Sequence, residues 1–272
     1  MEIRLPDINR IISKIIKLEA SFDGKTREIK DWLKEHRGQI KKNQKLIKCK
    51  SDENDIKILL PILRDLLVRA IKGERGNRVY EELKKSIKSK GDLNKENYKQ
   101  TLQKASYRWG PEVGAQVISK VVYIFAQKLK WDWEKYFGRV EKYHETDFQE
   151  DELLKVKHVK LKVRDLALSS FNPNYVANDL HVVRVMTRIG LLNYGFDLLE
   201  NDELEMGNNP SNKNNYLFLH RLIQKLSKLT DNKYLPADLD RLFWFFGKSI
   251  CSSKPKCSKC AIKKLCLTGQ YK

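Results

Sequence analysis

Four cysteines stand within the last 22 residues of the chain: Cys251, Cys257, Cys260 and Cys266. Their spacing is C-x5-C-x2-C-x5-C. Loops this short let each sulfur turn inward, so four thiolates can converge on one soft metal centre. Such a set serves Zn²⁺ or an iron–sulfur cluster. Zinc sites more often carry two C-x2-C knuckles with a longer spacer. A single C-x2-C between two equal loops favours a [4Fe–4S] cube. Disulfide pairing is the plain alternative. No signal-like charged and apolar segment opens the chain, so a reducing intracellular setting is expected and disulfides are not. The fifth cysteine, Cys49, lies in a lysine-rich stretch and reads as a bystander.

The other residues that could do chemistry are Lys162 and Asp179, 17 positions apart. Two helices flank a short hairpin in the tract from Asp151 to Phe171, DELLKVKHVKLKVRDLALSSF. Leu153, Leu154 and Val156 end the first helix, and residues 157–161 make the turn. Lys162 opens the second helix, whose apolar positions are Val163, Leu166, Ala167 and Phe171. Asn172-Pro173-Asn174 breaks it. Asn178-Asp179 then starts a further helix, with Val182, Val185, Met186 and Ile189 on one face and Gly190 as its stop. Both Lys162 and Asp179 therefore sit at helix N-termini, and the short helix and loop between them can bring them close.

Around these residues the pattern is helical nearly throughout. Ile8, Ile11, Ile12, Ile15 and Ile16 form one face of a first helix opened by Pro6-Asp7. Residues 30–50 form a basic helix. Residues 56–71 are strongly apolar, with Pro61 near their start. A helical pattern resumes from Asn77 to Ile87. The length of the apolar run Val113–Leu129 favours a buried helix over a strand. Hairpin chemistry and alternating βα patterns are not evident, so the class is all-α. The tract 201–215, rich in Asn with Gly, Pro and Ser, reads as a loop.

A chain of 272 residues can bury one large core or two modest ones. No apolar run approaches the roughly 20 residues that cross a bilayer, and no membrane partner is expected. The net charge is +19, with 54 Lys and Arg against 35 Asp and Glu spread along the chain. Such a field draws in a polyanion and points to nucleic acid, although a general surface bias gives the same count.

The order of these features resembles the endonuclease III-type DNA glycosylases: a helix-hairpin-helix, a catalytic lysine, an aspartate, then a four-cysteine iron–sulfur loop. Asp179-Leu180-His181-Val182-Val183-Arg184-Val185 is similar to the family's D-T-H-x-x-R-V. Phe246-Gly247-Lys248, leading to Cys251 and then to Lys254-Pro255-Lys256-Cys257, resembles the approach to its cluster. Leu161-Lys162 and the F-G-K-x-x-C tract are also similar to the plant 5-methylcytosine glycosylases. The resemblance covers about Leu153 to Cys266. It implies a two-lobed fold, with residues 56–177 as the central helical lobe carrying the hairpin. Residues 1–55 and 178–272 would form the cluster lobe, and DNA would lie between the two.

Three departures stand out. Where the family hairpin reads G-V-G, this chain has His158-Val159-Lys160. Glycine there lets backbone N–H groups approach a phosphate, and another residue in a left-handed position costs about 1 kcal/mol. The first cysteine loop holds five residues where the family usually has six. The family's wedge glutamine has no counterpart near residues 67–72.

The resemblance implies that Lys162 attacks the sugar C1′, expels an extruded base and forms a Schiff base. A lysine nucleophile must be neutral, and burial and the positive end of its helix both favour the neutral amine. Asp179 would stabilise positive charge developing on the sugar. Its plain alternative is an ordinary N-cap, and that of Lys162 a solvated lysine, with Lys160 the next candidate nucleophile. His158, Lys160, His181, Arg184, Lys254, Lys256 and Lys259 are the expected DNA contacts, with Lys263 and Lys264 beside them on the cysteine loop. Trp109, Trp131, Trp133 and Trp244 could stack on a base or belong to the core. The expectation is a monomeric glycosylase and AP lyase carrying a [4Fe–4S] cluster. It would act on double-stranded DNA with a damaged or mismatched base in a prokaryotic, nucleoid-associated cytoplasm. The rival is a non-catalytic iron–sulfur DNA-binding protein on the same scaffold.

Overall fold

The computed structural model describes residues 5–67, 73–143, 151–200 and 209–271. In chain order it forms α1 (Ile8–Ile15), the strands β1 (Glu19–Phe22) and β2 (Lys25–Glu28), α2 (Ile29–Ile47) and α3 (Asp52–Leu67). Then come α4 (Gly73–Ser86), α5 (Lys95–Lys104), α6 (Pro111–Tyr123), α7 (Trp133–Tyr143) and α8 (Leu161–Ser169). The chain closes with α9 (Leu180–Ile189), α10 (Lys213–Lys228), α11 (Pro236–Ser249) and α12 (Leu267–Gln270). Two compact units result: Met1–Gly38 with Val176–Lys272, and Gln39–Tyr175. The divisions fall inside α2 and just before Val176, against boundaries expected at residues 56 and 178.

The unit of residues 39–175 is built on α3. Nine of the twelve residues from Ile56 to Leu67 are apolar and all nine are buried, while Lys57 stays exposed, so most of the surface of α3 faces the core. Pro61 lies in its middle rather than near its start. Leu83 of α4, Leu102 of α5, Ile118 of α6, Tyr136 of α7 and Ala167 of α8 join the same core. The run Val113–Leu129 is helical as expected, but α6 ends at Tyr123 and residues 124–128 form a π-type turn. α5 and α7 are not among the helices expected from the sequence.

The other unit carries its own core. Asp7 caps α1 by accepting from the Arg10 N–H at 2.9 Å, and Ile8, Ile11, Ile12 and Ile15 are buried. The expectation of no hairpin fails here. β1 and β2 pair antiparallel, Phe22 opposite Lys25, around a two-residue turn. Asp23 and Gly24 take φ of 52° and 72°. That pair of left-handed residues is the Asp-Gly hairpin signal, hidden by strands of only four residues. Phe22 then packs edge-on against Trp32, Trp244 and Phe245.

Within the expected loop 201–215, residues 201–208 lie outside the described residues. Its end is helical, because Asn212 caps α10 by accepting from the Asn215 N–H at 3.1 Å. Residues 68–72, most of the tract that would carry a wedge residue, also lie outside the described residues. Among those described, no helix is long and apolar enough to cross a membrane.

A buried ionic group ties α8 to the segment before it. Arg164 is fully buried. Its Nε lies 2.7 Å from Asp165 Oδ1 and its Nη1 3.3 Å from Asp151 Oδ2. Tyr136 donates to Asp151 at 3.2 Å, and the Tyr175 ring lies 5.2 Å beneath the guanidinium. Burial pushes the Asp151 carboxyl above its ordinary value, and burial with Asp151 beside it pushes the Tyr136 phenol well up. Replacing Arg164 by Met keeps most of the volume but strands two buried carboxylates. Arg164→Met is expected to cost about 3–5 kcal/mol in denaturant unfolding. A loss below about 1 kcal/mol would show that these carboxyls do not depend on the guanidinium.

Candidate active site and metal centre

The hairpin is held from within by apolar residues. Leu153, Val156 and Val159 are buried, while Lys155, Lys157, His158 and Lys160 are exposed. Its first arm is a single 3₁₀ turn, Glu152–Lys155, rather than the expected helix end, and Asp151 caps it by accepting from the Leu153 N–H at 2.9 Å. The chain reverses through His158 at φ 74°. This is the left-handed region that glycine enters freely and other residues enter at a cost. Lys160 is the extended N-cap of α8 and makes no side-chain cap bond. Lys162 is the second residue of α8 and is half-buried.

Asp179 is the N-cap of α9, as the sequence indicated, and its carboxylate accepts from the His181 N–H at 3.0 Å. The buried Asn178 before it takes φ 41°, and the Tyr216 hydroxyl donates to the Val176 carbonyl at 2.9 Å. The approach to α9 is therefore pinned from α10. Arg184 Nη1 meets His181 Nδ1 at 3.3 Å, and the His181 ring stands edge-on to Trp244 at 6.4 Å. His181 and Arg184 are thus brought together, one turn inside the helix that Asp179 caps. Gly190 closes α9 at φ 94°. Lys162 and Asp179 belong to different units, each positioned by its own core.

The four C-terminal cysteines line one pocket, with Arg188, Phe246, Ile250, Pro255, Ile262 and Lys263 among its walls. All are free thiols. Cys251 and Cys266 are buried, and Cys257 and Cys260 half-buried. Burial pushes the Cys260 and Cys266 thiols up, and the neighbouring sulfurs push the same way. Backbone N–H groups oppose this, from Ile262 towards Cys260 and from Gly269 and Thr268 towards Cys266. Crowded sulfurs of this kind cannot all ionise unless a cation neutralises them, and that is the condition of a thiolate metal centre. Among the described residues, no group of three or more His, Cys, Asp or Glu side chains is arranged to hold a metal ion. A donor set of four sulfurs, with Phe246, Ile250, Pro255 and Ile262 beside it, fits a soft metal group. Lys254, Lys256, Lys259 and Lys264 project outward and Lys263 is half-buried. Cys49 is exposed just after α2, away from this loop in sequence.

Three features escaped the sequence reading. The Asp151–Arg164–Asp165 group consists of residue types that are usually solvated, so only burial reveals it. Arg188 falls on the half-buried side of α9 and looks like any surface arginine until Cys251 is placed beside it. Trp133 and Trp244 divide in a way periodicity could not settle: Trp133 is buried and donates to Asp55 at 2.7 Å, while Trp244 is half-buried.

No protein-family model and no curated protein sequence matches the chain. Solved structures do. A thermostable thymine-DNA glycosylase matches with a TM-score of 0.52 and 16% identity, over 88% of this chain and 98% of that one. A trapped endonuclease III–DNA covalent intermediate matches with a TM-score of 0.49 and 20% identity, over 88% and 97%. A non-covalent endonuclease III–DNA complex matches with a TM-score of 0.48, also at 20% identity.

The left-handed turn yields a direct test. Glycine at 158 removes the steric cost of φ 74° and adds some unfolded-state entropy, and the first effect is the larger. His158→Gly is therefore expected to stabilise the protein by about 0.5–1 kcal/mol in thermal or denaturant unfolding. A loss of stability would mean that the imidazole makes contacts worth more than the backbone strain.

Proposed function

We propose that this chain, an all-α protein with the two-unit fold of a helix-hairpin-helix DNA glycosylase, is a base-excision DNA glycosylase with AP-lyase activity. Its substrate is double-stranded DNA bearing a damaged or mismatched base. The observation that carries the reading is the fold, shared with a thymine-DNA glycosylase over 88% of the chain. Lys162 is the second residue of α8 and Asp179 is the N-cap of α9.

A base stacked in a duplex is out of reach of any side chain, so the target nucleotide is first turned out of the helix. The neutral Lys162 amine attacks the sugar C1′, the glycosidic bond breaks, and the base leaves with its electron pair. The amine nitrogen gives up one proton, its freed lone pair breaks the C1′–O4′ bond, O4′ takes up a proton, and the sugar ring opens to a protonated imine. That imine makes the neighbouring C2′ proton acidic, and its loss expels the 3′ phosphate: this is the lyase step. Asp179 contributes a fixed negative charge that offsets the positive charge gathering on the sugar. The carboxylate remains the cap of α9 throughout. Lys160 and His158 on the hairpin, and His181 and Arg184 on α9, are the proposed phosphate contacts.

Cys251, Cys257, Cys260 and Cys266 would hold a [4Fe–4S] cluster. The support is that the four thiols line one pocket. When bound, the cluster would staple the loop and hold Lys254, Lys256 and Lys259 as a phosphate-binding face.

Two substitutions separate this reading from a non-catalytic DNA-binding protein, the alternative favoured by His158 in the glycine position. Wild type is expected to be trapped covalently on abasic duplex by borohydride, which reduces an imine. Lys162→Gln should abolish trapping and strand cleavage while duplex binding persists, since an amide forms no imine. If the variant still traps, the nucleophile lies elsewhere, with Lys160 next. If wild type does not trap, the lyase reading fails. Asp179→Asn keeps the capping oxygen and removes the charge. It is expected to unfold at the wild-type temperature and to lose roughly 100-fold or more in base excision, measured on single-lesion duplexes. Full activity with reduced thermal stability would make Asp179 a cap and no more.

A further inference from the structure

The loop that carries the first cysteine has few partners of its own. After α11 the chain turns back, with the Ile250 and Cys251 N–H groups both donating to the Phe246 carbonyl at 2.9 Å. The next three carbonyls, of Cys251, Ser252 and Ser253, lie outside any helix or strand. Main-chain carbonyls need donors, and here one side chain supplies them. Arg188 reaches across from α9. Its Nη1 donates to the Cys251 carbonyl at 3.3 Å and to the Ser252 carbonyl at 2.5 Å, and its Nη2 donates to the Ser253 carbonyl at 3.2 Å. The same Nη1 lies 3.6 Å from Cys251 Sγ. The Arg188 backbone carbonyl lies 3.2 Å from Cys266 Sγ. One residue therefore touches both the first and the last cysteine of the set.

We propose that Arg188 is the positioning residue of the cysteine pocket: its guanidinium folds the 251–253 loop around itself and holds Cys251 facing the pocket with a charged N–H against the sulfur. The proposal deepens the cluster reading and rests on it. The geometry suits arginine alone. A planar fork with five donors can bridge three successive carbonyls, whereas a lysine ammonium meets them one at a time. The arginine is itself well anchored. Gly190 ends α9 two residues later, and a Cβ on Gly190 would lie 3.3 Å from Leu267 of α12. A guanidinium stays charged at any working pH, so it offsets the negative charge of a cluster held by four thiolates. Hydrogen bonds to ligand sulfurs are among the interactions that set both the retention and the potential of such clusters. Lys256 and Lys263 also line the pocket, but Arg188 is the residue whose bonds shape the loop.

Arg188→Gln and Arg188→Lys, purified anaerobically beside wild type, provide the test. The readouts are iron and sulfide per chain, the rate of iron loss to a chelator, the cluster reduction potential and the helical circular dichroism. Both variants are expected to keep the helical spectrum and to lose iron roughly 10–100-fold faster than wild type. The Gln variant should also shift the potential to more negative values, because removing a positive charge disfavours the reduced cluster. The Lys variant, which keeps the charge, should shift it less. A loop of purely structural importance would not separate the two variants in potential. Iron retention and potential equal to wild type in both would overturn the proposal and leave the cluster reading intact. If the Gln variant does not fold, the Lys variant decides by the same comparison. Wild-type protein that binds no iron would overturn the cluster reading itself, and the proposal with it.

Discussion

At Gly247 the backbone of α11 comes so close to α9 that a Cβ there would lie 2.7 Å from the His181 carbonyl and 3.0 Å from a Val185 methyl. This approach organises the unit that holds both Asp179 and the cysteines. A side chain at 247 would push the two helices apart. Without one, α9 and α11 lock, and what each helix carries is placed by the contact. At the start of α9 are Asp179, His181 and Arg184. Near its end is Arg188. On α11, Phe246 lines the cysteine pocket and Trp244 meets His181 edge-on. The glycine in the F-G-K tract is thus a packing requirement before it is a motif.

The unit that holds Lys162 relies on a different device. Its hairpin lacks the glycines that make such turns easy, and His158 carries a left-handed conformation that the surroundings must enforce. Three buried apolar residues hold the turn from below, and the buried arginine with its two carboxylates ties α8 to the segment that opens the hairpin. Removing one partner of such a group is costly, because the charges left behind have no water to turn to. Strain in the turn and rigidity beneath it go together: the second is what makes the first tolerable.

Charge is used differently in the two settings. Around the cysteines Lys254, Lys256, Lys259 and Lys264 are exposed, where they are available to a polyanion, and Arg188, which turns inward, is consumed by backbone carbonyls. In the hairpin, Lys157 and Lys160 face outward while Arg164, two residues past Lys162, is fully buried. A net charge of +19 does not distinguish these roles. Burial does, because a cation is retained inside only where acceptors have been arranged for it.

Much of the local structure was legible in the residues alone. The isoleucine face of α1, the Asp179 cap and Gly190 stop of α9, and the all-helical class follow from side-chain periodicity and capping chemistry, which act within a turn or two of chain. The spacing of the four cysteines likewise determined that one short loop system would gather them. What escaped depends on contacts between distant parts of the chain or on elements too short to be periodic. The Asp23-Gly24 hairpin has strands of four residues, below the length at which alternation shows. The 3₁₀ turn at Glu152–Lys155 replaced an expected helix end because Asp151, drawn into a buried ionic group, caps it there. Arg164 and Arg188 read as solvent-facing until partners 13 and 63 or more positions away are set beside them. Local rules operate along the chain, so the sequence determined which helices form and where they are capped. Burial and pairing are set by what folds back against each residue, so only the tertiary structure decided which charges turn inward and what they hold in place.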